Sequence, residues 1–128
     1  MKAIKANDLE ELRYIATTYQ KQGNLLLAEQ VYTILMDLES NAFGTEGHGV
    51  AFCLHKLAEL KYLQNMNREG DELILHAVSA WEKSFPSDYT SLLCYTDDLT
   101  KANSIIEQRR LNQREVRNIH GNDRRVAA

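Results

Sequence analysis

The sequence predicts an all-α protein of stacked helical hairpins, and three observations carry that expectation. Apolar residues recur three and four apart through most of the chain, which is the spacing of one helix face and not of a strand. Turn residues punctuate this pattern at Gly23-Asn24, across Asn41 to Gly49, at Asn65 and at Pro86-Ser87-Asp88. Two stretches also repeat each other. Leu12, Ile15, Ala16, Tyr19, Gly23, Ala28, Tyr32 and Leu35 are followed, each 42 residues later, by Leu54, Leu57, Ala58, Lys61, Asn65, Gly70, Ile74 and Ala77. A fixed period of this size marks hairpins that stack, since one hairpin alone leaves an apolar face uncovered.

The first helix is expected to open at Asn7, whose side chain can accept from first-turn N–H groups, with Glu10 three residues on as in a capping box. Leu9, Leu12, Ile15, Ala16 and Tyr19 form its stripe. Gly23 ends it, because glycine enters the left-handed region without steric cost. Asn24 is the expected N-cap of a second helix, about 25–39, that buries Leu27, Ala28, Val31, Tyr32, Leu35 and Leu38. So short a link folds the two helices back antiparallel. The glycines of Gly44 to Gly49 mark the next loop. No strand precedes it and no Lys-Ser or Lys-Thr follows, so it lacks the surroundings of a phosphate loop.

The third helix is expected from Gly49 or Val50 to about Asn65, with Val50, Leu54, Leu57 and Ala58 inward, joined by Lys61 or Tyr62. Asn65 stands where Gly23 stood, and asparagine is the next residue to tolerate the left-handed conformation. The fourth helix, about 68–84, carries Leu73, Ile74, Ala77, Val78 and Trp81. Gly70, in the place of Ala28, keeps a small residue at the closest helix crossing. Ser87 or Asp88 caps a fifth helix with Leu92, Leu93, Tyr95, Leu99, Ala102, Ile105 and Ile106. Beyond 107 the stripe thins to Leu111, Val116 and Ile119, Gly121-Asn122 is expected to end any helix, and 123–128 to fray.

The chain of 128 residues is long enough for one domain with a core. Its apolar runs, such as Leu25 to Ala28, fall far short of the roughly 20 residues that span a bilayer. Met1 to Ala6 holds lysines with no apolar stretch behind them, so no secretory signal is read. Cys53 and Cys94 lack metal-ligand spacing and read as buried thiols suited to a reducing cytoplasm. Charge is uneven. Residues 1–108 hold 9 Lys/Arg against 16 Asp/Glu, a balance of −7, whereas 109–128 hold 6 Arg against Glu115 and Asp123, a balance of +4. The division is a helical body, 1–108, with repeats about 9–39 and 51–84 and a capping helix about 88–108, followed by an arginine-rich extension, 109–128, partly helical or disordered.

These residues resemble the tetratricopeptide repeat, and the 42-residue period is similar to its kinesin-light-chain-type variant. The first copy supplies Leu12, Ile15-Ala16, Tyr19, Gly23, Ala28 and Tyr32, with Leu35 in place of the last alanine. The second keeps Leu54, Leu57-Ala58 and Ala77 but departs at Lys61, Asn65, Gly70 and Ile74. Gly44 to Ala51 resembles the stretch that joins repeats. Pro86 to Leu99 begins a third copy, which has Thr100 for its alanine and Glu107 where its glycine would fall. The resemblance implies a right-handed superhelix of two repeats capped by one further helix.

The resemblance also implies a concave surface, lined by the first helix of each repeat, that binds an extended peptide or a helix of another protein. Carried over by position, that groove is lined by Arg13, Thr17 and Gln20, then Phe52, His55, Glu59 and Tyr62, then Asp97 and Lys101. The family's clamp for a C-terminal carboxylate fits poorly: Thr17 replaces an asparagine, and Asp97-Asp98 lies where positive charge is wanted. Phe52, Tyr62 and Met66 either form an apolar anchor site in this groove or pack between helices.

No enzyme chemistry, metal site or cofactor is read from the sequence. His48, His55, His76 and His120 have no carboxylate or cysteine at a familiar ligand spacing and read as solvated or edge residues. Asp97 and Asp98 are adjacent on a helix and do not face each other, so they read as a solvated or groove-lining face. The arginines offer a different contact. Arg110, Arg114 and Arg117 share a helix face and, with Arg109, Arg124 and Arg125, could meet nucleic acid, an anionic membrane surface or an acidic protein; the alternative is a solvated tail folded against the body's own acids. No aromatic residue flanks them for base stacking. The expectation is a cytoplasmic protein-binding module, adaptor or assembly factor, with the basic extension as the alternative contact. The open end of so short an array is a further surface through which two copies could pair.

Overall fold

One turn is built twice. At the end of the first helix, Asn24 N–H donates to the Tyr19 carbonyl (2.9 Å) and Gly23 N–H to that of Gln20 (3.0 Å). Forty-two residues later, Met66 N–H donates to Lys61 (2.9 Å) and Asn65 N–H to Tyr62 (3.0 Å). Both are Schellman ends, which need a left-handed residue to turn the chain. Gly23 supplies φ 77° and Asn65 supplies φ 60°. Asparagine thus does at Asn65 what glycine does at Gly23.

The computed structural model describes residues 6–45 and 47–127, with side chains described for 7–45 and 47–118. Five helices make up the described chain, without a strand: α1 (Ala6–Lys21), α2 (Leu25–Phe43), α3 (His48–Leu63), α4 (Asn67–Lys83) and α5 (Tyr89–Ala127). Each packs on the next, and α3 also touches α5. Cross-helix pairs give the directions. Arg13 meets Glu39 while Thr17 meets Tyr32, so α1 and α2 run antiparallel. Trp81 meets Asp98 while Glu72 meets Arg109, so α4 and α5 do too. Arg13 lies over Phe52 and Gln20 meets Glu59, which makes α1 and α3 parallel. His55 with Asp98 and Tyr62 with Lys101 make α3 and α5 parallel as well. Two layers result, α1, α3 and α5 in one and α2 and α4 in the other.

The core follows the repeated residues. Ala16, Ala28, Tyr32, Leu35, Cys53, Leu57 and Leu60 close the space between α1, α2 and α3. Leu54, Ala77, Ala80 and Trp81 join α3 to α4, and Ala58, Ile74, Val78, Ala102 and Ile105 carry the packing on to α5. Two departures of the second copy have local causes. Lys61, in the place of Tyr19, reaches back to Glu29 of α2 at 2.7 Å. Gly70, in the place of Ala28, lets the Tyr62 ring lie so close that a Cβ there would sit 2.8 Å from it.

Several elements differ from expectation. Asn7 lies inside α1, which already includes Ala6, so it does not cap. Asn24 occupies the N-cap position of α2, but its side chain makes no capping bond. α2 runs on to Phe43, which shortens the following loop. Leu27 is exposed, because Ala28, Tyr32, Leu35 and Glu39 form the buried face and Leu27 points to a side that no helix covers. Asp88 does cap α5, accepting from Ser91 N–H at 2.8 Å. The expected boundary at 108 is not a break: α5 continues through Gly121-Asn122 to Ala127. No proline interrupts it, and contacts one turn apart, Glu107 with Arg110 and Gln108 with Asn112, run along its surface. No helix among the described residues is long and apolar enough to cross a membrane.

Candidate functional site

The α1, α3 and α5 layer carries the positions singled out in the sequence, and the structure sorts them into surface and interior. Arg13 is half-exposed, with its guanidinium 4.4 Å from the centre of the Phe52 ring. Lys56 stands 5.7 Å from the same ring centre, so two cations attend one aromatic side chain. Arg13 also reaches Glu39 at 3.8 Å. Glu39 is buried, which raises its pKa against the lowering effect of Arg13. Its carboxyl group presses on Gly49 of α3, where a Cβ would come within 2.1 Å. Thr17 is committed locally: it donates to the Arg13 carbonyl (2.8 Å) and lies 3.1 Å from the Tyr32 hydroxyl.

The next joint along the layer is an interior ion network. His55 is buried, not a groove or edge residue, and each ring nitrogen meets a carboxylate. Nδ1 lies 2.6 Å from Asp98 Oδ1, and Nε2 lies 3.1 Å from Glu59 Oε1. Two carboxylate acceptors require a donor at both nitrogens, which is the imidazolium form. Burial opposes that charge, but the bonds to Asp98, Cys94 and Glu59 outweigh it and lift the pKa to about 11. Asp98 is fully buried and also accepts from Trp81 Nε1 at 3.0 Å, so it belongs to the core and not to a solvated face. Glu59 is half-exposed and takes further bonds from Gln20 (3.2 Å) and Lys56 (3.3 Å). Burial pushes its pKa up, yet His55 and Lys56 prevail and hold it at about 2.

The two joints correspond at 42 residues. Arg13 beside Phe52 becomes His55 beside Cys94, and Gln20 beside Glu59 becomes Tyr62 beside Lys101. At each joint one cation of the layer faces one buried carboxylate, Glu39 in the first and Asp98 in the second. Tyr62 is fixed in place: its hydroxyl donates to Asp71, its ring packs on Gly70, and Lys101 Nζ lies 4.5 Å above it. Tyr62 is half-buried, and so is Met66 at the turn before α4. Asp97 is exposed.

The surface that results is formed by Arg13, Gln20, Phe52, Lys56, Glu59, Asp97 and Lys101. Lys56 and Glu39 escaped the sequence reading, and the pairing of Trp81 with a buried Asp98 was not foreseen. The period sets His55 in the place of Arg13, but it sets Trp81, not Asp98, in the place of Glu39, so the buried acid of this joint had no signal in the sequence. Of the other histidines, His48 bonds the Phe85 carbonyl (2.9 Å) and lies near Trp81, and His76 is exposed. The His120 side chain lies outside the described residues. No group of three or more His, Cys, Asp or Glu among the described residues is arranged to hold a metal ion. Cys53 is buried, which pushes its thiol up to about 12 and leaves it protonated.

The arginines of the extension do not share one fate. Arg109 pairs with Glu72 of α4, against the body. Arg110 meets Glu107 one turn before it at 3.6 Å, and Arg114 and Arg117 are exposed along the helix. The side chains of Arg124 and Arg125 lie outside the described residues. Comparison with protein-family models, curated proteins and solved structures finds no match for this chain.

Proposed function

We propose that the chain is a short tetratricopeptide-type array, its hairpins advancing as a right-handed superhelix, that works in the cytoplasm as an adaptor or assembly factor. Its ligand is an extended peptide or a helix of another protein, laid across α1, α3 and α5. The observation that carries this reading is the recurrence of turn and joint at 42 residues, from Arg13–Phe52 to His55–Cys94 and from Gln20–Glu59 to Tyr62–Lys101. A structure that repeats its joints repeats the surface between them, and such a surface suits a long, thin ligand. Phe52 supplies an aromatic anchor, while Arg13, Lys56 and Lys101 offer charge to acidic side chains. The packed polar interior lends the layer rigidity, which suits a surface for binding.

The test is affinity capture from a native extract. Phe52→Ala with Lys56→Ala should abolish capture of the partner that the natural chain retains, while Arg110, Arg114 and Arg117 changed together to Ala should not. The reverse pattern would favour the exposed arginine row of α5 as the contact. That second reading rests on the continuation of α5 past the body, and it requires binding to DNA, RNA or anionic vesicles that weakens steeply with salt.

A further inference from the structure

A second apolar line lies on α5, away from the surface just described. Leu92, Leu99 and Ile106 are seven residues apart, so they share one face with a drift of only about 20° per step. Lys101, on the proposed binding surface, is two residues from Leu99 and so points about 200° away. Val50 and Leu57, the residues 42 before Leu92 and Leu99, are buried. On α5 the cover is thinner: Leu92 is 41% exposed and Ile106 49% exposed, and Leu99 is half-buried, with one side on the Ala58–Ile74–Ala102 cluster and the rest uncovered. The side of α5 that enters the body is a different one, formed by Asp98, Ala102 and Ile105.

We infer that this face is covered by the same face of a second copy of the chain, with the two α5 helices antiparallel about a two-fold axis at Leu99. The charges select the arrangement. Asp88 lies eleven residues before Leu99 and Arg110 eleven residues after it, and eleven residues close three helical turns, so all three face the same way. Antiparallel pairing with Leu99 against Leu99 sets Leu92 opposite Ile106 of the second copy and Asp88 opposite its Arg110. Parallel pairing would set Asp88 against Asp88 and Arg110 against Arg110, two repulsions in place of two attractions. A two-fold contact must be self-complementary, residue by residue, and this line is. Asp88 and Arg110 are both exposed at the rim of this face; Asp88 keeps its bonds to Ser91 as the α5 cap, and Arg110 meets Glu107 at a long 3.6 Å.

The test is sedimentation of the full chain over a range of concentrations, with helix content followed by circular dichroism. The natural chain should approach twice its mass of 14.7 kDa as concentration rises. Arg110→Glu should weaken dimerisation about tenfold or more, as like charges then face each other. Asp88→Asn, which keeps an acceptor for the α5 cap, should weaken it less. Asp88→Lys combined with Arg110→Glu should recover much of the loss, and Leu99→Glu should abolish the dimer, as should Leu92→Glu, a change at an exposed residue outside the core that leaves helix content as it was. A monomer at every concentration overturns the inference. So does a dimer indifferent to Arg110→Glu and Leu99→Glu, or a ladder of growing species, which would mean end-to-end contact through exposed α2 residues such as Leu26 and Ile34.

Discussion

Gly23 and Gly49 are glycines for opposite reasons, and substitution should separate them. At Gly23 the space is open and the backbone is left-handed, so Gly23→Ala should cost about 1–2 kcal/mol through conformation alone. At Gly49 the fault is steric: a Cβ meets the far end of the flexible Glu39 side chain, which must turn aside, so Gly49→Ala should cost no more than about 1 kcal/mol. Urea titration tests both, and Glu39→Ala should relieve part of the second cost and none of the first. His55 gives a pH dependence. Its pKa rises from an ordinary 6.5 to about 11, so the stabilisation is complete below pH 6.5 and fades as pH climbs toward 11. The slope is at most about 1.4 kcal/mol per pH unit for one proton. Glu59, lowered from 4.5 to about 2, contributes above pH 4.5 and loses its part as pH falls toward 2. The two shifts describe one contact from both sides and do not add. Urea midpoints should therefore fall steadily between pH 7 and 10 in the natural chain and much less in Asp98→Asn. A natural chain with constant midpoints over that range would show that His55 is neutral. Asp98→Ala should cost about 3–5 kcal/mol, because it strands a buried imidazolium and the Trp81 N–H.

At the scale of elements, α5 is two helices in energetic terms. Up to Arg109 it is held by Ala102, Ile105 and the Glu72 pair. Beyond that, residues 110–118 are exposed on every side. A solvated helix without a packed face is marginal, since most helical stability in proteins comes from packing. Amide exchange should therefore show protection through about Arg109 and little beyond it in the monomer. Strong protection from 111 to 118 in dilute solution would require a docking site within the same chain.

At the scale of the whole molecule, neighbouring packing clusters share side chains: Leu73 touches all three, and Met36 and Phe52 link the first two. Stability should therefore pass from neighbour to neighbour, as in other stacked arrays. Trp81, the chain's one tryptophan, is fully buried at the α3–α4–α5 joint and reports on the middle of the stack. Its fluorescence should follow the main circular dichroism transition in urea, while the dichroism carries an added gradual slope from the far part of α5. If Trp81 lagged behind the main transition, the first hairpin would be unfolding separately.

The sequence by itself determined the five helices and their junctions, because periodicity, Gly23, Asn65 and Asp88 act within a few residues of backbone. It also determined which apolar residues repeat, and most of these are buried where the period put them. Only the tertiary structure decided which polar residues lie inside. Asp98 beside Asp97 looked like a solvated pair, yet its partners His55 and Trp81 are 43 and 17 residues away. Glu39 looked like any acid near the end of a helix, until Arg13 and Gly49 closed around it. Nor did Leu27 reveal that its side of α2 would stay uncovered. Local rules fix a helix and its ends, but the placing of a charge depends on what the chain brings opposite it. That is settled only when the hairpins stack.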